Sequence, residues 1–425
     1  MRRLIAMIGH CDCNNFFVSC ERTFRPDLNG KPVVVLSNND GCIVARSNEA
    51  KALGIKMGTP LYQIRNLIER ENVTVFSSNY QLYGDMSGRV MSTLRDSVPA
   101  IEVYSIDEAF LHLKGIPENE LHERGLALAQ KIHKSTGIPV SIGIAPTKTL
   151  AKITGKLCKK YPALHGCCYM HRPEDIEKVL RTYPIEDVWG IGRRHLAKMR
   201  LWSVRTAWDF TQLPAEFVQK QMTITGLRTY RELKGEECIK IEDTTPDKQS
   251  ICVSRSFAKE MYDINELRSA ITTFATAVSE KLRRQNSCTH QITVFIYTNR
   301  HREDMPQDYE CKTRRLTVAT DSTLEICKIA ASVLREIYNA GYGYKKAGVI
   351  ATDLVPKAAR QGALFDTIDR EKHQRLMKAI DSINNTQGKN TIAIASQSEI
   401  TAFSNRNHTS PRYTTDWNDI IEVKV

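Results

Sequence analysis

A chain of 425 residues is too long for one ordinary core and allows several domains of roughly 100–200 residues each. Its formal charge of +12 favours a polyanionic partner, although membrane headgroups or plain solubility would account for the same number. No apolar run approaches the ~18 residues of a membrane span, and the stretch after Met1-Arg2-Arg3 is short and broken by His10, so a cytoplasmic protein with no membrane partner is expected.

In chain order, Leu4-Ile5-Ala6-Met7-Ile8 reads as a strand running toward Cys11-Asp12-Cys13, with Phe16 and Phe17 beyond it. Val33–Leu36 reads as a strand and Ser47–Leu53 as a helix. Asp107 and Glu108 then stand between two apolar runs, Val103 on one side and Ala109-Phe110-Leu111 on the other, where burial penalises charge. An amphipathic pattern over Leu121–His133 precedes a strand at Pro139–Ile144, and this alternation points to an α+β domain.

An unpaired buried carboxylate is costly, so acids at the join of two hydrophobic strands suggest a bound cation. Asp12, Asp107 and Glu108 offer hard oxygen ligands of the kind that suit Mg²⁺, with Mn²⁺ as a substitute. The bland alternative is a polar hairpin turn at Asp107-Glu108 and a strand-end cap at Asp12, against which Glu108 is poorly suited to the positive φ of a tight turn. The twelve cysteines do not form C-x-x-C pairs with a histidine partner, so structural zinc is not expected and they read as small buried hydrophobes.

From Lys131 to Arg200 there are fourteen Lys/Arg against five Asp/Glu, which reads as a nucleic-acid footprint or a solvated helix face. Within it, Val188-Trp189-Gly190-Ile191-Gly192-Arg193-Arg194 resembles a helix-hairpin-helix, whose glycines bring backbone N–H groups near a phosphate; an ordinary turn is the alternative. A linker at 242–248 leads into a unit of strand, helix, two strands, helix and strand from Ile251 to Leu354. Ile292–Tyr297 and Arg314–Val318 alternate as strands, while Ile264–Arg284 and Thr323–Ala340 have helical periodicity.

Long motif strings occur in one order: Cys11-Asp12-x-Asn14-x-Phe16-Phe17-x-Ser19-Cys20-Glu21, Arg25-Pro26-Asp27-Leu28, Lys31-Pro32-Val33-Val34-Val35-Leu36-Ser37-Asn38-Asn39-Asp40-Gly41-Cys42, Phe76-Ser77-Ser78-Asn79-Tyr80 and Ser105-Ile106-Asp107-Glu108-Ala109-Phe110. They resemble the UmuC family of bacterial Y-family translesion DNA polymerases, through roughly residue 365. The resemblance implies an α+β multidomain right hand: palm at 1–24 and 74–172, fingers at 25–73, a helix-hairpin-helix thumb at 173–240, and a little finger at 250–355. Residues 356–425 would then hold a clamp-binding motif and a tail that docks accessory proteins or is partly disordered.

It further implies template-directed synthesis across damaged DNA during the SOS response, by two-metal nucleotidyl transfer to a primer 3′-hydroxyl. Asp12, Asp107 and Glu108 would hold two Mg²⁺ ions, with the Cys13 carbonyl joining the metal shell. The incoming dNTP would meet Arg46, Lys51 and Lys159 and the stretch at Phe16, although Phe16 is more simply read as core. Phe17 takes the steric-gate position, where the close UmuC pattern has Tyr, and Asn15 stands where a small residue is common. Gly190, Gly192 and Arg193 in the thumb, and Arg300, Arg302, Lys312, Arg314 and Arg315 in the little finger, are candidate primer–template DNA contacts. Gln361, Leu364 and Phe365 match the Q-x-x-L-F motif for a sliding clamp. A processed UmuD-like dimer, a RecA filament and a nucleoid-associated location follow from the resemblance alone. Two other functions compete: a nucleotidyl cyclase, which the basic thumb disfavours, and a non-catalytic DNA- and clamp-binding factor, which has no need of three acids.

Overall fold

The computed structural model describes residues 7–242, 246–397 and 405–421, which fall into two compact units. The first comprises Met1–Ser37, Gly41–Thr245 and His408–Val425; the second comprises Asn38–Asp40 and Pro246–Asn407.

The first unit begins with β1 (Ile8–Cys13), α1 (Phe16–Phe24), β2 (Val33–Leu36), β3 (Ile43–Arg46), α2 (Asn48–Ala52), α3 (Arg65–Arg70), β4 (Thr74–Ser77) and α4 (Tyr80–Arg95). It continues through β5 (Ala100–Val103), β6 (Glu108–His112), α5 (Leu121–Thr136), β7 (Val140–Ala145), α6 (Lys148–Lys160) and β8 (Cys167–Tyr169), then α7 (Pro173–Thr182), α8 (Arg193–Leu201), α9 (Ala207–Thr211) and α10 (Ala215–Leu233). One sheet has the order β5-β6-β1-β7-β8, so β1 is central, antiparallel to both neighbours.

Strand periodicity sorts the β1 side chains onto two faces. Cys11 and Cys13 join the core formed with α4 and α5, whereas Ile8 packs with Phe110, Leu150 and Ala151 on the α6 side. His10 and Asp12 share that α6 face by alternation. The close approach of α6 depends on glycine: a Cβ on Gly143 of β7 would stand 2.2 Å from the Gly155 amide nitrogen and 2.3 Å from the Ala151 carbonyl oxygen. A smaller sheet, β3-β2-β4, has its own core of Val34, Leu36, Ile43, Ala50, Ile55 and Val73. Ser47 caps α2 by accepting from the Ala50 amide, as the motif reading of a helix there requires.

The second unit contains β9 (Ile251–Met261), α11 (Ile264–Arg284), β10 (Ser287–Thr298), β11 (Tyr309–Thr320), α12 (Thr323–Ile337), β12 (Tyr344–Pro356) and α13 (Arg370–Thr386). Its sheet, ordered β11-β10-β12-β9, is antiparallel throughout, and α11 and α12 supply much of its core. Every element expected between Ile251 and Leu354 is present. The helix expected over Thr323–Ala340 stops at Ile337, because Tyr338 turns extended at φ −77°, ψ 126°.

Two other expectations change. The first strand begins at Ile8, and Leu4–Ala6 lie outside the described residues, as do 243–245 of the linker. The tail is more ordered than expected, since Asp369 caps α13 by accepting from the Lys372 amide and 408–421 belongs to the first unit. Among the described residues no helix is long and apolar enough to cross a membrane.

Candidate active site

The register of β1 against β6 sets Asp12 opposite Glu108. Asp107 ends the turn that joins β5 to β6, and the amides of Tyr104 and Ser105 both donate to the Glu108 carbonyl, at 3.0 and 3.1 Å. The Ser105 hydroxyl donates to Asp107 Oδ1 at 2.5 Å and accepts from the amides of Asp107 and Glu108. The Cys13 amide donates to the Asp107 carbonyl at 2.9 Å, tying the hairpin to β1. The acid pair is therefore a hairpin turn and a carboxylate site at once; the two readings of Asp107-Glu108 were never exclusive.

Helix α6 lays two lysines, one heptad apart, over these acids. Lys159 Nζ lies 2.5 Å from Asp12 Oδ1, and Lys152 Nζ lies 2.8 Å from Glu108 Oε2. Burial pushes the Asp12 carboxyl up to about 6, against the pull of Lys159 and with the push of Glu108 and Asp107. Burial would raise Glu108 too, but the hydrogen bond and charge of Lys152 outweigh it and hold that carboxyl below its usual range. Lys152 also sits 4.5 Å above the Tyr104 ring and 5.5 Å from the Trp189 ring centre, a position that steers its charge. His10 Nε2 comes within 3.9 Å of Glu108, yet burial, reinforced by Lys152, lowers the ring to about 3, so this is a neutral contact and not an ion pair.

Among the described residues no three His, Cys, Asp or Glu side chains converge as a ready metal cluster. The Asp12, Glu108 and Asp107 oxygens are engaged by Lys159, Lys152 and Ser105 instead. The donor set nonetheless fits a divalent cation. Three hard carboxyls stand close to one another at the ends of β1 and β6, and two of them, Asp12 and Glu108, are already paired with ammonium groups that a cation would replace. The Cys13 thiol is turned into the opposite core, so only its backbone is left for the role suggested from sequence.

The nucleotide-pocket candidates divide. Arg46, at the end of β3, has Nε and Nη1 buried without a hydrogen-bond partner among the described residues. Lys51 Nζ donates to Asn15 Oδ1 at 2.6 Å and Asn48 Oδ1 at 3.1 Å; burial, with Arg46 and Lys159 nearby, lowers its proton affinity. Asn15, at the position before α1, adopts the left-handed conformation at φ 49°, which asparagine tolerates, and its side chain makes no capping bond to the helix. Phe16 is buried among core residues, as its simpler reading has it. Phe17 is only partly buried and stacks on Tyr83 with ring centres 4.3 Å apart.

Of the DNA candidates, Gly190 has φ +92° and Gly192 precedes α8 with no side-chain cap, so the α8 amides stay open behind the exposed Arg193. In the second unit Lys312, Arg314 and Arg315 lie on the edge strand β11, but Lys312 and Arg314 both pair with Glu336, and Arg315 approaches Asp353 at 3.7 Å. Arg302 pairs with Asp304 at 2.7 Å, and Arg300 is exposed beside it. Leu364 and Phe365 are 91% and 88% exposed in a stretch without regular structure after Gln361. Sequence reasoning missed Lys152 and His10. The seven-residue step from Lys152 to Lys159 was the one available signal for the first; the second carries none.

The impB/mucB/samB family model matches residues 11–156, and the model of that family's C-terminal domain matches 248–364. The chain is 39% identical to the protein UmuC of Salmonella typhimurium strain LT2 over 98% of its own length and 100% of the relative's. The chain belongs to the impB/mucB/samB family. Within that family's wider relations, it is 27% identical to a DNA polymerase IV of Bacillus velezensis over 91% of its length and 92% of that protein's. The solved structure of the Y-family DNA polymerase chimera Dbh-Dpo4(243-245)-Dbh shares its fold at a TM-score of 0.64 and 21% identity, covering 82% of this chain and 99% of that one. The right-hand fold with palm, fingers, thumb and little finger is that of these polymerases. A third model, a domain of unknown function, matches residues 374–423.

Proposed function

We propose that this protein is a Y-family DNA polymerase that performs template-directed synthesis across damaged template. The observation that carries the reading is the set Asp12, Asp107 and Glu108, gathered at adjoining strand ends under Lys152 and Lys159 in a chain of this family. Asp12 and Asp107 would hold two Mg²⁺ ions, with Glu108 completing the primer side and the Cys13 carbonyl adjoining. Bound there, divalent ions would make a primer hydroxyl a better nucleophile and offset charge on the departing pyrophosphate.

The chain's own residues do the rest. Arg46, Lys51 and Lys159 bring three cations to one side of the carboxylates, where they bind and orient a nucleoside triphosphate by charge. When Lys159 leaves Asp12 for a phosphate, the carboxylate is freed at the same moment. Phe17, backed by Tyr83, stands as a wall against a ribose 2′-hydroxyl. Phe offers no phenolic donor, so exclusion here is steric.

The open N-terminus of α8 and the basic edge strand β11 suit backbone phosphates of primer–template DNA, with the β11 cations trading their carboxylate partners for phosphate. Gln361, Leu364 and Phe365 would dock on a sliding clamp, a role supported by the exposure of both apolar side chains. A UmuD-like dimer, a RecA filament and a place on the cytoplasmic nucleoid rest on family likeness alone. The test is Mg²⁺-dependent primer extension by wild type, Asp107→Asn and Phe17→Ala, with and without clamp and activating partners. Extension lost in Asp107→Asn with DNA binding retained supports the reading; a well-folded wild type that binds DNA and never extends a primer overturns it.

A further inference from the structure

The ring behind the gate is held by a residue from the far end of the chain. Tyr83 stacks beneath Phe17, and its hydroxyl donates to Glu21 Oε1 at 2.6 Å. Glu21 is a fully buried carboxyl on α1, and burial raises its proton affinity despite the donors around it. Its Oε1 accepts a second hydrogen bond, at 3.0 Å, from the hydroxyl of Ser410, while Oε2 has no partner. With two donors on this group among the described residues, each is a large part of what fixes it.

Ser410 is itself held firmly. Asn79, the residue that caps α4, donates from Nδ2 to the Ser410 hydroxyl at 3.0 Å and to the carbonyls of Ser410 and Pro411 at 3.1 Å each. The Ser77 amide donates to the His408 carbonyl at 2.9 Å, and the Tyr413 ring stacks flat on Phe24 at 4.6 Å. The segment therefore grips the end of β4 together with α1 and the start of α4, the two helices from which Phe17 and Tyr83 project. The gripping residues 408–413 lie outside the polymerase-family segments 11–156 and 248–364, in the portion matched by a domain of unknown function.

We propose that the C-terminal segment around Ser410 is a positioning element for sugar discrimination: Ser410 orients Glu21, Glu21 fixes Tyr83, and Tyr83 holds Phe17 at the height that rejects a ribose. The inference rests on Phe17 being the gate. Without Ser410, Glu21 keeps one donor and can turn toward it, so the Tyr83 ring gains freedom and the wall recedes. Synthesis with deoxynucleotides would persist, because no group in this chain of contacts reaches the carboxylates or the triphosphate cations.

The experiment is single-nucleotide incorporation by the full-length chain, with dNTP and rNTP, for wild type, Phe17→Ala, Tyr83→Phe, Ser410→Ala and Ser410→Thr. Phe17→Ala should abolish most discrimination. Tyr83→Phe and Ser410→Ala should each lower the dNTP/rNTP ratio of kcat/KM by roughly three- to tenfold, the range expected for one ordinary hydrogen bond, mainly through a lower rNTP KM. Ser410→Thr should restore the ratio. Hydrogen exchange at amides 80–84 should quicken in Ser410→Ala and not in Ser410→Thr. If Phe17→Ala relaxes sugar choice while Ser410→Ala and Tyr83→Phe leave the ratio within twofold, the positioning role is refuted and the gate stands. If Phe17→Ala itself changes nothing, the gate reading fails and takes this one with it.

Discussion

Acidification should weaken the first unit through one residue, His10. Its ring is buried on β1 with both nitrogens lacking hydrogen-bond partners, 5.1 Å from the Phe110 ring and facing the charge of Lys152. Burial and Lys152 lower its pKa from 6.5 to about 3, so between those values the unfolded chain binds a proton that the folded chain refuses. Stability tied to His10 is thus complete above about pH 6.5 and falls as pH drops toward 3. Going from about pH 7.5 to about pH 5 removes about 2 kcal/mol, from 1.36 kcal/mol per pH unit over the interval below 6.5.

The assay is urea unfolding of metal-free protein at both pH values, for wild type and His10→Leu, followed by tryptophan fluorescence. All four tryptophans, Trp189, Trp202, Trp208 and Trp417, belong to the first unit, so the signal reports that unit. Carboxyls such as Asp12, which burial raises, titrate in the opposite sense, and comparing the slopes of the two proteins cancels them. His10→Leu should be less sensitive to acid by that same ~2 kcal/mol. Equal pH slopes would refute a neutral buried ring, and a wild type that gains stability over His10→Leu on acidification would instead indicate a His10–Glu108 ion pair.

Three further outcomes are expected. Gly143→Ala should cost about 3 kcal/mol or more, read as a fall in Tm, because its Cβ would meet backbone at 2.2 and 2.3 Å; Gly88→Ala on α4, with nothing within 4 Å, should instead gain up to about 1 kcal/mol. Lys152→Met removes the cation that screens Glu108, so Mg²⁺ should raise the Tm of the variant by about 2–4 °C more than that of wild type, a shift worth about 1 kcal/mol. Leu364→Ala with Phe365→Ala should leave Tm unchanged, since both side chains are exposed, and weaken clamp binding by roughly thirtyfold or more, with clamp-free extension preserved.

The strings around Asp12 and Asp107-Glu108 singled out these three carboxylates in the sequence, because residue type and motif order are read along the chain. The strand and helix periods of 251–354 were legible for a similar reason: alternation records which face is buried. Ser47 as the cap of α2 could likewise be read locally.

What sequence alone could not decide is who stands opposite whom. The β1–β6 register puts Asp12 across from Glu108, and only the packing of α6 on that face reveals Lys152 and Lys159 as their counter-charges. Phe16 and Phe17 are adjacent and alike in sequence, yet the helix turns one into the core and leaves the other partly exposed. The contact of Glu21 with Ser410 spans 389 residues and has no periodic signature. Periodicity and motif order are properties of neighbouring residues along the chain and survive in the sequence. Burial, charge pairing and the positions of distant side chains exist only once the sheet has paired and the helices have packed upon it.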